Sequence, residues 1–120
     1  MLTINKVFPE KTIPEKTDSF LFFDIETTGF SRDNTILYLI GCGYFAEEGF
    51  QFIQWFNDDG TSEEEILLAF QNILVKKDWQ LVTFNGNSFD IPYLKRHYDL
   101  NELTCDIEKY PSLDFYQFLK

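Results

Sequence analysis

The chain has 120 residues, 44% hydrophobic and 18% aromatic, and a formal charge of -10 from 20 acidic and 10 basic side chains. That length suits one domain, and that apolar content excludes a disordered chain. The acidic excess argues against passive nucleic-acid binding, whose affinity comes from Lys and Arg meeting phosphates, but weighs less against an enzyme whose acidic centre is neutralised by metal ions.

In chain order, residues 1–18 carry Pro9, Pro14 and several lysines and read as an extended N-terminal lead-in, leaving 19–120 as the folded domain. Ser19 to Ile25 reads as an apolar strand that ends on an acidic pair, Asp24 and Glu26. Thr27 to Asn34 reads as a loop with a tight bend at Gly29, where a missing Cβ widens the allowed backbone. Thr35 to Phe45 and Phe50 to Phe56, joined by a short turn through Glu47, Glu48 and Gly49, read as two more strands of an antiparallel meander.

Ser62 followed by Glu65 has the spacing of a capping box. Ile66, Leu67, Phe70, Ile73 and Leu74 then recur at helical spacing, so a helix is expected there. Gln80 to Phe84 reads as a short buried strand, and Asn85 to Ser88 as a polar loop around Gly86. Phe89 to Tyr98 reads as a helix with Pro92 in its first turn, where proline is tolerated. Leu113 to Lys120 begins another strand or helix. The order β-β-β-α-β-α predicts an α/β fold with helices packed on a mixed sheet.

The chemistry is concentrated in two stretches. In a strand, residues two apart share a face, so Asp24 and Glu26 stand side by side. Like charges so placed repel unless a cation holds them, and Mg2+ or Mn2+ suits such oxygen donors. A second apolar strand delivers Asp90 past a polar loop, at a helix start. The intervening segment is long enough for a hairpin and a crossover helix to return that strand beside the first. Three carboxylates are then expected at one edge of the sheet. The two cysteines, Cys42 and Cys105, and the single histidine, His97, lack zinc-ligand spacing, and Cys42 reads as a small buried hydrophobe. With neither a signal-peptide core nor an apolar run of bilayer length, a cytoplasmic protein without membrane association is expected.

These residues resemble a known family. Asp24-Ile25-Glu26-Thr27-Thr28-Gly29-Phe30 resembles the first motif of the DEDD superfamily, the DnaQ-like 3'-5' exonucleases with a ribonuclease-H-like fold. Phe84-Asn85-Gly86-Asn87-Ser88-Phe89-Asp90-Ile91-Pro92-Tyr93-Leu94 resembles the second, in the form found in family B DNA polymerase proofreading domains. With Ile36 to Phe45 between them, the chain is most similar to the YprB-type exonuclease branch, over roughly residues 20–120. The resemblance implies a ribonuclease-H-like fold, two Mg2+ or Mn2+ ions, and hydrolysis of DNA or RNA from a free 3' end. It implies that Asp24, Glu26 and Asp90 hold the ions. It implies substrate contacts from Thr27, Thr28, Phe30 and Asn85, with Asp114 near the site. The family's third motif, a His or Tyr followed by Asp, has no match before Lys120. The chain is thus expected to be either a portion of a longer protein or a degenerate form. A catalytically incomplete nucleic-acid-binding module and an acidic protein-interaction domain are the alternatives.

Plainer roles stand beside these. Asp90 could be a helix cap, Asn85 and Gly86 turn formers, and Phe30 a loop anchor. Lys95, Arg96 and His97 read as basic residues matched to a helix dipole, and Glu63, Glu64 and Glu65 as its acidic counterpart in the preceding helix.

Overall fold

The computed structural model describes residues 1–9, 19–84 and 86–115. It is a six-stranded mixed sheet with two helices. In chain order the elements are β1 (Leu2–Phe8), β2 (Phe20–Thr27), β3 (Leu37–Ala46), β4 (Gly49–Phe56), α1 (Glu63–Leu74), β5 (Gln80–Thr83), α2 (Asp90–Leu100), a single 3-10 turn at Ile107–Lys109, and β6 (Ser112–Asp114). Across the sheet the order is β1-β4-β3-β2-β5-β6.

The antiparallel meander expected from residues 19–56 forms, as β2 pairs with β3 and β3 with β4. β5 returns beside β2 in parallel, and β6 extends the parallel part. Two features go beyond the expected order. Leu2–Phe8, inside the stretch read as a lead-in, is extended but belongs to the sheet, paired along β4 from Leu2↔Phe56 to Phe8↔Phe50. The segment from Leu113 contributes a three-residue strand, Ser112–Asp114; residues 116–120 lie outside the described residues.

Both crossovers, β4-α1-β5 and β5-α2-β6, step the same way along the sheet. A common hand therefore puts both helices on one face. Strand alternation aims Leu21, Phe23, Ile25, Ile40, Cys42, Ile53, Trp55 and Leu81 at them. The helix periodicity meets this face with Ile66, Leu67, Phe70, Ile73 and Leu74, all buried as the spacing predicts. Burial also pushes the Cys42 thiol up to about 12, so it behaves as an apolar side chain.

The capping box read at Ser62 and Glu65 does not close. The Ser62 hydroxyl makes no cap bond. It donates instead to Asp59 Oδ1 at 2.7 Å and accepts from the amino group of Met1 at 3.1 Å. A charged chain terminus next to a carboxylate offers a stronger pairing than a backbone amide does.

The opposite face of the sheet carries Phe22, Leu39, Phe50, Phe52 and Val82, with Gly41 and Gly43 between them. A Cβ at Gly43 would collide with the Phe50 ring, so an aromatic ring takes the place of a side chain there. No described helix covers this face, and none is long and apolar enough to cross a membrane.

Phe70 ties the two layers together. It is fully buried, with ring centroids 5.3 Å from Phe23 and 6.4 Å from Trp55. Phe70→Ala is expected to destabilise the domain by about 3–5 kcal/mol, the range for aromatic truncation in a core. Equilibrium denaturant unfolding measures this.

Candidate active site

β2, β5 and β6 run parallel and adjacent, so their carboxyl ends share one edge of the sheet. Asp24 and Glu26, Thr83, and Asp114 stand at these ends. In open α/β sheets this is where ligands bind, because the diverging chain leaves a crevice there.

Asp24 is exposed on the face away from the helices. Its partner across β3 is Gly41, so no side chain crowds the carboxylate from that side. It stands in the wall of a cavity of about 620 Å³ lined also by Phe22, Gly41, Phe52, Phe84 and Phe115. Glu26 is exposed two residues further along, just before a register shift in the pairing with β3.

Asp90 reaches the same place from the helix side. β5 ends at Thr83, and the chain turns back tightly. The Gly86 amide donates to Thr83 Oγ1 at 3.2 Å, and a Cβ at Gly86 would collide with that threonine. The Ile91 amide then donates to the Gly86 carbonyl at 2.8 Å, starting α2. Asp90 is the first residue of that helix, with Phe89 as its N-cap. It therefore does not serve as the cap residue, the plainer role open to it. The pairing of β2 with β5 stops at Phe22↔Val82, and further along β2 the Ile25 amide donates to the Asp90 carboxyl.

Asp90 is only 5% exposed, and its Oδ2 is buried with no hydrogen-bond partner among the described residues. Burial raises its pKa most; the charge of Asp24, a hydrogen bond shared with the Asp24 carboxyl, and the charge of Asp114 raise it further, against the Ile25 amide, up to about 7. Near neutral pH, Asp90 therefore holds a proton far more readily than a free carboxyl does. Asp114 is itself buried, and its Oδ2 accepts from the Asn87 amide at 3.1 Å.

The structure thus brings Asp24 and Asp90 together and sets Asp114 close enough to act on Asp90. Glu26 lies on the same face as Asp24 but is not among the groups that perturb Asp90. Among the described residues no three His, Cys, Asp or Glu side chains gather as a cation-binding group. The donors nonetheless fit a cation: a buried Asp90 oxygen lacks a partner, the Asp24 carboxyl lies close enough to act on Asp90, and an open cavity adjoins Asp24.

The loop after β2 uses most of its own polar groups. The Thr27 hydroxyl donates to the Gly29 carbonyl at 2.6 Å. Thr28 pairs with Ile36, through its amide at 3.0 Å and through its hydroxyl, which accepts the Ile36 amide at 2.9 Å. The Thr28 hydroxyl proton is left to donate, whereas that of Thr27 is committed. Gly29 bends the chain without a left-handed φ; what it supplies is room, since a Cβ there would lie 3.1 Å from Thr35 Cγ2. Phe30 is 91% exposed, with its ring edge-on to Phe89 at 6.1 Å. An anchoring aromatic would be buried, so the exposed ring favours a contact surface. Asn85 lies outside the described residues.

Rather than simply facing the helix dipole, Lys95 and Arg96 pair with Glu108 at 3.1 Å and Asp33 at 2.6 Å, and His97 is buried.

Comparison with known proteins agrees with this arrangement. Residues 21–120 match the family model of the RNase_H superfamily. A DNA polymerase of Pyrococcus glycovorans is 35% identical over 86 residues, 62% of this chain and 11% of that protein. A DNA polymerase of Desulfurococcus sp. (strain Tok) is 33% identical over 91 residues, 67% of this chain and again 11% of the relative. The chain therefore spans about a tenth of the length of the curated relatives it matches. The solved family B DNA polymerase from the hyperthermophilic archaeon Pyrobaculum calidifontis superposes with a TM-score of 0.65 at 16% identity, over 83% of this chain and 16% of that one. The ribonuclease-H-like fold implied by the two sequence motifs is borne out.

The raised pKa of Asp90 has a signed consequence. Folded protein holds a proton up to about pH 7 that the unfolded chain loses near 3.8, so Asp90 lowers stability as pH rises through that window. Asp90→Asn removes the charge that burial penalises. The variant is expected to melt above the wild type at about pH 8, with the difference shrinking toward about pH 4. Thermal melts across pH check this; a difference that does not vary with pH contradicts it.

Proposed function

The chain belongs to the RNase_H superfamily, and we propose that it acts there as a Mg2+- or Mn2+-dependent 3'-5' exonuclease on DNA or RNA. The observation that carries this reading is the approach of the Asp24 carboxyl to the buried Asp90 carboxyl at the carboxyl end of β2, where one Asp90 oxygen has no partner among the described residues.

In this reading Asp24, Asp90 and Glu26 hold the cations. When bound, such ions supply positive charge to a reacting phosphate and make water more acidic. The chain's own groups do the rest. Asp90, whose carboxyl is held protonated by burial, would ligate a cation through its unprotonated form. Glu26 orients a water toward the terminal phosphorus. The water oxygen bonds to phosphorus, the bond from phosphorus to the 3'-oxygen breaks, and a proton passes to that leaving oxygen. A nucleoside monophosphate departs, and the shortened strand keeps a 3'-hydroxyl. Phe30 stacks on the terminal base, a contact any base can make, and the free hydroxyl proton of Thr28 donates to the terminal nucleotide. Asn85 positions the strand, and the negative charge of Asp114 beside Asp90 adds to the attraction for a cation there.

A second reading is supported by the absence of a third close acidic or histidine ligand among the described residues. It is a module that binds 3' ends without cleaving them. Degradation of 3'-labelled DNA and RNA oligonucleotides in Mn2+, with binding measured in parallel, separates the two. Asp24→Asn and Asp90→Asn are each expected to lower degradation by more than the about 10–100-fold typical of losing a supporting group at a metal site. Retention of the labelled strand without shortening favours the binding module, and full activity in either variant removes that residue from the site.

Cation binding also has a pH signature. Because protons and cations compete at Asp90, Mn2+ is expected to raise the melting temperature at about pH 8 and to lose that effect near pH 5. The Asp90→Asn variant should show a much smaller rise at either pH.

A further inference from the structure

His97 is buried at 2% exposure, yet both of its ring nitrogens face acceptors. Nδ1 lies 2.7 Å from Glu63 Oε1, and Nε2 lies 2.7 Å from the Arg32 carbonyl oxygen. A neutral imidazole carries one N–H and one lone pair, so it satisfies only one of these and turns a lone pair on the other. The imidazolium donates to both.

Its surroundings suit a cation. Burial alone pushes the Glu63 carboxyl up, but hydrogen bonds from His97, Asn101 and the Leu37 amide outweigh it and hold it below the usual carboxylate range. Glu63 is therefore ionised, and its first-turn position in α1 favours that charge. From α2, Tyr93 stacks on the imidazole at 4.1 Å and 11°. Arg32, whose carbonyl His97 meets, is itself a cation in the loop, and Arg96 of α2 is paired with Asp33.

The same face of α2 grips the loop 28–36 at three points. His97 holds the Arg32 carbonyl, Arg96 pairs with Asp33, and the Tyr93 hydroxyl shares a hydrogen bond of 2.9 Å with Thr35 Oγ1. Thr35 in turn donates to the Ser31 carbonyl. Of the three, His97 is the buried link, and the Arg96 pair is exposed and worth little. Phe30 stands in this loop, exposed beside Phe89, the residue that precedes Asp90 in the chain.

We propose that His97 is a positioning residue, an imidazolium clamped between Glu63 and the Arg32 carbonyl that fixes the loop presenting Phe30. That this loop meets a terminal nucleotide rests on the exonuclease reading; that the clamp orders the loop does not. Two measurements test it. Nitrogen NMR of the wild-type protein near neutral pH is expected to find both ring nitrogens of His97 protonated; a singly protonated ring overturns the proposal. Amide hydrogen exchange of residues 29–34 is expected to speed up about tenfold or more in His97→Phe, which keeps the stacked ring but loses both bonds, while core strand amides stay protected. Glu63→Gln, which keeps shape and weakens the charge pairing, should act in the same direction and serves if His97→Phe does not fold. Unchanged loop exchange in a folded variant refutes the clamp. With the clamp lost, KM for a 3'-ended oligonucleotide should rise about tenfold with kcat within about twofold, the pattern of lost uniform binding. Faster exchange with an unmoved KM keeps the clamp and removes the loop from the substrate.

Discussion

Two carboxyl groups that repel each other are held in one place by the fold. Asp24 arrives on β2 and Asp90 on the first turn of α2, and burial denies Asp90 the water that would screen it. Nothing in either element favours this contact by itself. It is enforced by the parallel pairing of β2 and β5, by the early end of β5 at Thr83, and by a turn so tight that only glycine fits at position 86. The stability for this comes from elsewhere, in the aromatic and aliphatic layer between the sheet and the helices. Structures commonly place unfavourable electrostatics where chemistry is done.

The two faces of the sheet are used differently. One is closed by α1 and α2 around Phe23, Trp55 and Phe70. The other is aromatic, contains the glycines Gly41 and Gly43, and opens into a cavity that reaches Asp24. The glycines matter to the site as much as the acids do. Gly41 faces Asp24 across the strand pair and brings no side chain beside the carboxylate.

A chain with a formal charge of -10 has few cations to offer a nucleic acid. The basic residues of α2 are not free for that purpose. Lys95 and Arg96 stand in ion pairs, and His97 is turned inward against Glu63. In the exonuclease reading proposed above, positive charge at the site would come from bound cations, and aromatic rings such as Phe30 would supply the contact area. This division accords with a strand end that is recognised by stacking and metal contacts, not by a basic surface.

Local pattern determined the elements. The apolar run from Ser19 to Ile25 that ends on an acidic pair, the helical spacing of Ile66, Leu67, Phe70, Ile73 and Leu74, and the glycine turn before Asp90 were legible because each is set by near neighbours in the chain. The face shared by Asp24 and Glu26 followed from strand geometry alone. What was not legible depends on partners distant in sequence. Leu2–Phe8 is a strand because β4 has an open edge to pair with it. Ser62 abandons its capping box because Met1 and Asp59 arrive beside it. His97 looked like a dipole-matched helix end, although its spacing from Tyr93 and Asp90 does put it on their face of the helix; only the packing of α1 and the loop around it made it a buried bridge. The sequence by itself determined which residues could carry the chemistry, since side-chain type and period are local properties. Tertiary structure alone decided which of them meet, because desolvation and charge-charge repulsion act through space and not along the chain.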